Sequence, residues 1–392
     1  MLRMIKDFVF GIVAVAELFL WQYILRKRRT PTGDAVVVVA ANTHLGDFLV
    51  ALPFFQRISA FYQRKLILVS DKRIEPLALA SGCFAQVVPA EHYRFNLLRR
   101  MQTFWQLRQL NAAVVICKYA LYSNIIDHIF AAVIPAKIKF AVQSVQGVRM
   151  PSGRWCFHNK MWYKNFTVLY KYDRNLSLVG NENAFADMIC GSRSDDPVGD
   201  LSCFEPLPPP DETLGRYALF VPGADNPNRR WEAEKFAAAA IKVLNFQSEL
   251  KLLFSGSPAD MAVIQQIYDA LPEDLRSRAF IRKPQPDYLL SVKQLMSDVK
   301  HAALVLTNDT GPLHIAAKCQ VPCLCITGGW HWGYFLPCPE YKNTVVIHHK
   351  MACYNCYGAC RFPGAPFGCL REVTVDMVLQ ELEKFFNSGT SV

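Results

Sequence analysis

Short runs of apolar residues alternate with helical stretches along most of the chain. The first run, DAVVVVAA (34–41), is rich in β-branched residues and is followed by a polar loop, NTHLGD, and a helical stretch, FLVALPFFQRISAFYQ. The runs KLILVSD, AQVVPA and AAVVICK repeat the pattern. Such runs are typical of strands covered on both faces, and their alternation with helices predicts a parallel, doubly wound sheet.

A proline-rich segment divides the chain. FEPLPPPDETLG (204–215) holds four prolines within five residues, which neither a helix interior nor a central strand tolerates. The alternation then resumes with YALFVPGA, LKLLFSGS, AFIRK, LVLTND and PCLCITG as predicted strands. The sequence therefore predicts two doubly wound α/β domains, 30–205 and 214–350, joined by a linker at 206–213 and facing a central cleft. Ligands of such sheets bind beyond the carboxyl ends of the strands.

The first thirty residues are hydrophobic over about the length that spans a bilayer, roughly 20 residues. Lys6, Asp7 and Glu17 interrupt this run. At helical spacing Asp7 and Glu17 fall in one stripe with Gly11 and Ala14, which favours a helix lying in the membrane interface. The basic block 26–29 is expected to bind anionic headgroups and to keep the following chain on the cytoplasmic side. We predict a membrane-associating helix at 1–29; a buried helix of the soluble fold is the alternative.

Composition narrows the class of partner. The 392 residues are 52% hydrophobic, and 43 Lys and Arg against 33 Asp and Glu give a net charge of +10. This excess favours an anionic partner, either a membrane surface or a phosphorylated small molecule. The chain lacks RNP-type, zinc-finger and regular basic-helix motifs, so nucleic acid is not expected to bind. Walker, dinucleotide-binding and H-E-x-x-H motifs are absent too, which argues against ATP and NAD chemistry.

The loop after the first strand, ANTHLGDFLVALP, carries a candidate catalytic carboxylate. Gly46 allows a tight turn and Asp47 lies at the helix start. Two hypotheses stay open: Asp47 caps the helix and does nothing more, or it faces the cleft and takes a proton from an acceptor hydroxyl. Asn42, Thr43 and His44 complete, with Gly46, a predicted acceptor-side loop.

Two loops of the second domain suggest an anion site. In VPGADNPNRRWEAEKF, Arg229 and Arg230 directly precede a helix, and forked guanidinium donors suit phosphate oxygens. The alternative is a pair of solvated surface arginines. In LFSGSPAD, Gly256 and Ser257 offer close backbone approach to a nucleotide, although this signal is weaker.

A third loop, in LVLTNDTGPLHIAAKCQVPCLCITG, gives the strongest signal. Asp309 ends a strand, Gly311 or Thr310 suits the helix cap, and Pro312 suits the first helical position. The helix start would direct unpaired amides and its positive end at a diphosphate. His314, one turn further, is predicted to donate to the same oxygens or to a sugar hydroxyl. Together the loops predict a diphosphate-bearing donor in the second domain and an acceptor in the first.

Three segments, NTHLGDFLVALP, VPGADNPNRRWEAEKF and LTNDTGPLHIAAKCQVPCLCITG, resemble in order and spacing the signatures of the lipopolysaccharide heptosyltransferases, glycosyltransferase family nine. The resemblance runs from Asp34 to the C-terminus. It implies a GT-B fold and an inverting, metal-independent transfer of heptose from ADP-heptose to membrane-bound lipopolysaccharide. It also implies an enzyme at the cytoplasmic face of the inner membrane that needs no cofactor for catalysis.

The resemblance assigns roles to single residues. Asp47 matches the general base, and the site that holds the donor's diphosphate and sugar matches Asp309, Thr310, Gly311 and His314. Two positions depart from the family pattern. Arg229 stands where the family has a phosphate-binding lysine, and Pro258 stands where members often carry an acidic residue for the ribose. A nucleotide-sugar epimerase of similar fold and a non-catalytic nucleotide-sugar-binding protein remain alternatives.

The last segment, 351–392, combines a cysteine cluster with a closing helix. Thirteen cysteines occur in the chain, most of them singly in apolar runs, which suits a reducing compartment. Cys353, Cys356, Cys360 and Cys369 are the exception, and three interpretations stay open: a structural zinc or iron–sulfur cluster, free core thiols, or a disulfide. The stretch TVDMVLQELEKFF predicts an amphipathic helix, which the resemblance implies packs on the first domain.

Overall fold

The computed structural model describes residues 33–41, 43–90, 97–118, 125–143, 163–356, 360, 362 and 366–387. These form two compact units. Unit one comprises the described residues up to Arg174 together with Asn181–Asp195, and unit two comprises Asn175–Gly180 together with those from Asp196 onwards. The predicted membrane-associating helix at 1–29 and Asn42 lie outside the described residues. Within the described part of the chain, no helix has the length and apolarity to cross a bilayer.

Unit one contains a parallel sheet. Its strands are β1 (Ala35–Val39), β2 (Leu66–Ser70), β3 (Phe84–Pro89), β4 (Ala112–Cys117), β5 (Ala136–Gln143) and β6 (Val168–Lys171). They are ordered β3-β2-β1-β4-β5-β6, with Val37 opposite both Ile67 and Val115. The helices from Leu45 to Cys190 are α1 (Leu45–Phe61), α2 (Glu75–Ala80), α3 (Leu97–Gln109), α4 (Ile125–Val133) and α5 (Leu178–Cys190).

Helix α1 is fixed on this sheet by aromatic packing. Phe55 is fully buried, and its ring lies 5.5 Å from that of Phe48 and 5.0 Å from that of Phe84, between centroids. Phe54 stacks on Phe185 at 5.6 Å. Burying side chains of this size contributes roughly 1.5–3 kcal/mol each, as an upper estimate. The start of α1 is thereby held beside the carboxyl end of β1.

Unit two contains a second parallel sheet. Its strands are β7 (Tyr217–Val221), β8 (Lys251–Phe254), β9 (Ala279–Ile281), β10 (Leu304–Asn308), β11 (Cys323–Ile326) and β12 (Thr344–Ile347). Their order is β12-β11-β10-β7-β8-β9, with Leu306 opposite Phe220 and Leu324. The helices are α6 (Ala233–Phe246), α7 (Met261–Asp269), α8 (Glu273–Arg276), α9 (Tyr288–Lys300), α10 (Gly311–Lys318), α11 (Gly368–Arg371) and α12 (Val375–Asn387). The prediction of doubly wound α/β sheets in both halves is confirmed.

Helix α12 belongs to the core of unit two. Val378 and Leu382 are buried there in one cluster with residues of α6 and of the sheet. The indole N–H of Trp231, which is itself 1% exposed, donates to the carbonyl of Val373 at 2.8 Å. The apolar face of the closing helix is thus buried within unit two, and its predicted packing on the first domain stays a prediction.

The predicted linker, 206–213, packs along helix α9 of unit two. The Ser297 hydroxyl donates to the carbonyl of Pro208 at 2.7 Å, and the Lys300 ammonium lies 2.8 Å from the carboxylate of Glu205. Arg282 bridges Asp298 of α9 and Asp211 of the linker at 2.9 Å and 3.4 Å. The proline-rich stretch is thus attached by side chains where its own backbone cannot continue a helix.

Candidate functional site

A buried amide holds the two central loops of unit two together. Asn308, at the end of β10, accepts a hydrogen bond from the backbone N–H of Trp231 at 3.0 Å. Its amide nitrogen donates to the carbonyl of Pro222 at 2.7 Å. Asn308 is fully buried, so losing either partner would leave a polar group without compensation. This residue fixes the loop between β7 and α6 against the loop after β10.

The result is a contact between Arg229 and Asp309. The Arg229 guanidinium lies 3.0 Å from the Asp309 carboxylate and also donates to the Asp309 backbone carbonyl. The Arg229 side chain is 36% exposed and that of Asp309 is 16% exposed, so the pair is reachable from solvent but partly desolvated. Arg229 ends a 3₁₀ turn that Asn226 caps by accepting from the Asn228 N–H at 3.0 Å. Arg229 is therefore not a freely solvated arginine.

Arg230 points into the loop itself. Its Nε donates to the carbonyl of Ala224 at 2.8 Å, and its terminal nitrogen lies 3.1 Å from the Asp260 carboxylate. A Cβ atom at Gly223 would lie 2.2 Å from the Asp260 carboxyl carbon, so the glycine is required for this approach. These contacts show that Arg230 holds the β7–α6 loop, and its role in donor binding stays a prediction.

The Asp260 carboxylate also holds the loop after β8 in place. Asp260 Oδ2 accepts from both the backbone N–H and the hydroxyl of Ser257, at 3.0 Å and 2.6 Å. A Cβ atom at Gly256 would lie 2.9 Å from the Asp260 Cβ, closer than real contacts allow. The close backbone approach predicted for Gly256 and Ser257 thus occurs toward Asp260. Their predicted contact with a nucleotide stays untested.

Helix α10 begins at Gly311, one residue before the first helical position predicted for Pro312. Thr310 is the N-cap residue with extended backbone, and Gly311 and Pro312 open the helix. The Thr310 hydroxyl donates to the carbonyl of Asn308 at 3.3 Å. Because the first amides of a helix have no partners within it, this helix start is suited to bind an anion beside Asp309.

His314 lies inside the unit. It is 5% exposed, and its Nδ1 lies 2.9 Å from the Tyr341 hydroxyl. Burial lowers the pKa of His314 to about 4, with a smaller opposing effect from Asp309. The imidazole is therefore neutral near pH 7 and contributes a hydrogen-bonding group but no charge. Its predicted contact with the donor stays a prediction.

A small pocket lies beside the Arg229 and Asp309 contact. Its walls come from the loops after β7, β10 and β11 and from helix α11, and they comprise Asn228, Arg229, Asp309, Thr327, Gly328, Trp330 and Leu370. The Thr327 hydroxyl lies 3.5 Å from Asp309 Oδ2. Sequence analysis did not single out Thr327 or Trp330. The available signal was their position just after a buried strand, where ligands of such sheets bind.

In unit one, Asp47 occupies the first turn of α1. Its Oδ2 accepts from the backbone N–H of His44 at 3.2 Å, so Asp47 caps the helix. The side chain remains partly exposed. Thr43 is buried and donates to the carbonyl of Ala40 at 2.8 Å, which shapes the turn. Capping uses one carboxylate oxygen and is compatible with the role of general base, which stays a prediction.

A buried ion pair follows the neighbouring strand β4. The Lys118 ammonium lies 2.5 Å from the Glu182 carboxylate, and the two side chains are 4% and 9% exposed. Nearby, Asp127 accepts from the backbone N–H of Ala41 at 2.9 Å, which ties α4 to the end of β1. Sequence analysis missed these groups because their partners are distant in the chain. Breaking such a buried pair by removing one partner costs about 3–5 kcal/mol.

The four tail cysteines, Cys353, Cys356, Cys360 and Cys369, lie near one another. Cys356 and Cys369 are buried, and Cys360 Sγ accepts from the backbone N–H of Phe367 at 3.2 Å. Burial raises the pKa of Cys369, and the nearby Cys356, Cys353 and Cys360 add to the rise. Within the described ranges, no group of three or more His, Cys, Asp or Glu side chains is arranged to hold a metal ion.

The two six-stranded parallel sheets, each with helices, are those of the GT-B fold. Residues 192–361 match the family model described as glycosyltransferase family 9 (heptosyltransferase), which confirms the resemblance. Lipooligosaccharide heptosyltransferase 2 of Campylobacter jejuni is 28% identical over 159 residues, which are 40% of this chain and 46% of that protein. The chain thus spans less than half the length of this curated relative.

Solved structures confirm the fold. A family 9 glycosyltransferase from Veillonella parvula gives a TM-score of 0.64 at 16% identity, covering 91% of this chain and 99% of that one. The E. coli heptosyltransferase WaaC with ADP-2-deoxy-2-fluoro heptose gives 0.62 at 17% identity, covering 89% and 99%. At these identities the likeness concerns the fold alone.

Proposed function

We propose that this protein is an inverting, metal-independent glycosyltransferase. It moves a heptose from ADP-heptose to membrane-bound lipopolysaccharide or a related glycan. The observation that carries the proposal is the contact of Arg229 with Asp309 beside the start of α10, within the region that matches the family. The names of the E. coli and Campylobacter proteins support a heptose donor and a lipid-linked acceptor.

In this proposal unit two stabilises the departing diphosphate. The forked donors of Arg229 bind phosphate oxygens, while Asp309 keeps the guanidinium in one orientation. The first amides of α10 add partial positive charge at the same place. These fixed donors would neutralise the developing negative charge, so the reaction is assigned no metal.

Unit one supplies the general base in this mechanism. An inverting transfer is a single displacement in which the acceptor hydroxyl attacks the anomeric carbon, and Asp47 would accept its proton. The carboxylate is held at the helix start by the His44 N–H, which limits its rotation. An epimerase would need several carboxylates around the sugar, whereas the described pocket has one lining carboxylate, Asp309.

We also propose a structural zinc or iron–sulfur centre at the tail cysteines. The proximity of the four thiols supports it, as shown by the effect of the other three on the pKa of Cys369. The described side chains are not arranged to ligate one ion, so the metal is given no step in the reaction.

The test of the main proposal combines binding and turnover. Nucleoside diphosphates and their sugars are screened by thermal shift, with ADP and ADP-heptose expected to raise the unfolding temperature. Asp47→Asn is then expected to retain donor binding and to lose transfer roughly 10²–10⁴-fold. Asp71→Asn is the matched control, because Asp71 also caps a turn after a strand of unit one.

The proposal is wrong if no nucleotide or nucleotide sugar raises the unfolding temperature of the protein. It is also wrong if the Asp47→Asn variant transfers the sugar at the wild-type rate. If the Asp47→Asn and Asp71→Asn variants lose transfer activity equally, the loss comes from a disturbed loop structure. That result would contradict the assignment of Asp47 as the general base.

A further inference from the structure

The pocket beside Arg229 and Asp309 has one aromatic wall, and it is Trp330. This residue lies in the loop after β11 and lines the pocket together with Thr327 and Gly328. Arg229 and Asp309, which are in contact, line the same pocket with charged groups. An aromatic face together with polar groups suits a ligand that has both apolar and hydrogen-bonding parts.

The position of Trp330 is fixed by the tail of the chain. Its ring packs on Phe367, with centroids 5.3 Å apart and ring planes inclined by 40°. A Cβ atom at Gly328 would lie 3.1 Å from Cys369 Sγ, and one at Gly329 would lie 2.2 Å from the Tyr354 ring. The loop therefore needs a glycine at 329, and it passes close to Cys369 at Gly328. Contact with Phe367 holds the Trp330 ring in position.

The chemistry of the walls distinguishes the parts of a sugar nucleotide. A diphosphate is polar throughout and is satisfied by Arg229 and the start of α10. A sugar ring has C–H groups that pack on an aromatic face and hydroxyl groups that need acceptors and donors. The Thr327 hydroxyl and the Asp309 carboxylate can hydrogen-bond to sugar hydroxyls, and they line the same pocket as Trp330. The Thr327 hydroxyl oxygen lies 3.5 Å from Asp309 Oδ2.

We propose that Trp330 contacts the sugar of the donor and determines sugar specificity, with Asp309 and Thr327 binding its hydroxyls. The inference rests on the proposed function and deepens it. In this proposal the loop after β11 binds the sugar of the donor and not its nucleotide.

The test measures the dissociation constants of ADP-heptose and ADP for the full chain by calorimetry. Trp330→Ala is expected to raise the dissociation constant of ADP-heptose roughly tenfold and that of ADP less than about twofold, because only the sugar loses its aromatic contact. Trp330→Phe keeps a ring and is expected to retain most of the affinity, which makes the test independent of whether the alanine variant folds. Tyr288→Ala, which removes a 40% exposed aromatic of unit two outside the pocket, is the control.

The inference is overturned if Trp330→Ala weakens the binding of ADP-heptose and ADP equally, or weakens the binding of neither. Both outcomes leave the proposed function in place. If neither ligand binds the wild-type protein, the proposed function is wrong and the inference falls with it.

Discussion

At the residue scale, burial decides which side chains near helix α10 carry charge. Burial lowers the pKa of His314 to about 4, and it does the same for His331, where Arg229 adds to the effect. Both imidazoles are therefore neutral near pH 7. The charge beside the pocket comes from Arg229 and Asp309, which are close enough to orient each other.

The neutral state of His314 predicts an acid-sensitive fold. Its pKa in the folded protein, about 4, lies below the ordinary value of 6.5, so the unfolded chain binds the proton more tightly. This contribution to stability is complete above pH 6.5 and is lost as the pH falls toward 4. Between pH 7 and pH 5 the wild type should lose about 2 kcal/mol more unfolding free energy than His314→Asn. Urea unfolding at the two pH values measures this difference, and equal losses would contradict it.

Sequence analysis could place the residues whose roles depend on near neighbours. Thr310, Gly311 and Pro312 were predicted at a helix start because cap and first-turn preferences are local. The partner of Arg230 could not be predicted, since Asp260 lies in another loop and the contact depends on the sheet order. Trp330 was missed for the same reason.

At the scale of elements, the β7–α6 loop gives its two adjacent arginines different surroundings. Arg230 is tied to Ala224 and Asp260, with Gly223 making room, whereas Arg229 reaches the pocket and Asp309. Arg229 is the last residue of the 3₁₀ turn and Arg230 is extended, so the backbone changes conformation between the two side chains.

Exchanging each arginine for lysine should separate the two roles. Arg229→Lys keeps the charge but loses the forked geometry, so weaker binding of ADP-heptose with little loss of stability is expected. Arg230→Lys should lower stability by roughly 1–3 kcal/mol, because charged hydrogen bonds within the loop are lost, and should spare donor binding. Calorimetry and thermal unfolding of both variants provide the measurement. If Arg230→Lys weakens donor binding and Arg229→Lys lowers stability, the separation of roles is contradicted and Arg230 binds the donor.

The strands most easily predicted were the uniformly apolar ones. β1, β4, β7 and β10 lie inside the sheets and are buried along most of their length. β5 was not predicted because Lys137 and Lys139 interrupt its pattern, and the Lys139 ammonium donates to the carbonyls of Ala131 and Ala132. The edge strands β6 and β12 have four residues each, too few to show a period.

At the scale of the whole molecule, the tail cysteines predict a metal content. The purified full chain should contain about one equivalent of zinc, or about two or four equivalents of iron, since the proposed zinc or iron–sulfur centre is held by four thiolates. Cys353→Ser combined with Cys356→Ser should remove the metal and lower the unfolding temperature. Cys190→Ser, in unit one, is the control. Metal-free wild-type protein of unchanged stability would contradict the proposal and favour free core thiols.

The N-terminal segment predicts binding to anionic membranes. We propose that residues 1–29 attach the protein to the cytoplasmic face of the inner membrane, because an apolar stretch there precedes a basic block. Replacing Arg26, Lys27, Arg28 and Arg29 with Gln should weaken binding by about 1 kcal/mol per residue. Flotation with anionic vesicles measures the effect, and zwitterionic vesicles are the control. Equal binding to both kinds of vesicle would contradict an electrostatic contribution.

The hydrogen bond from Trp231 to the Val373 carbonyl joins residues 142 positions apart. During synthesis the ribosome therefore delivers β7 to β11 long before the residues that cover them. Until Val378 and Leu382 emerge, the apolar residues of unit two that pack against them stay uncovered. Truncations that end before Val373 should accordingly yield insoluble protein, whatever their effect on chemistry.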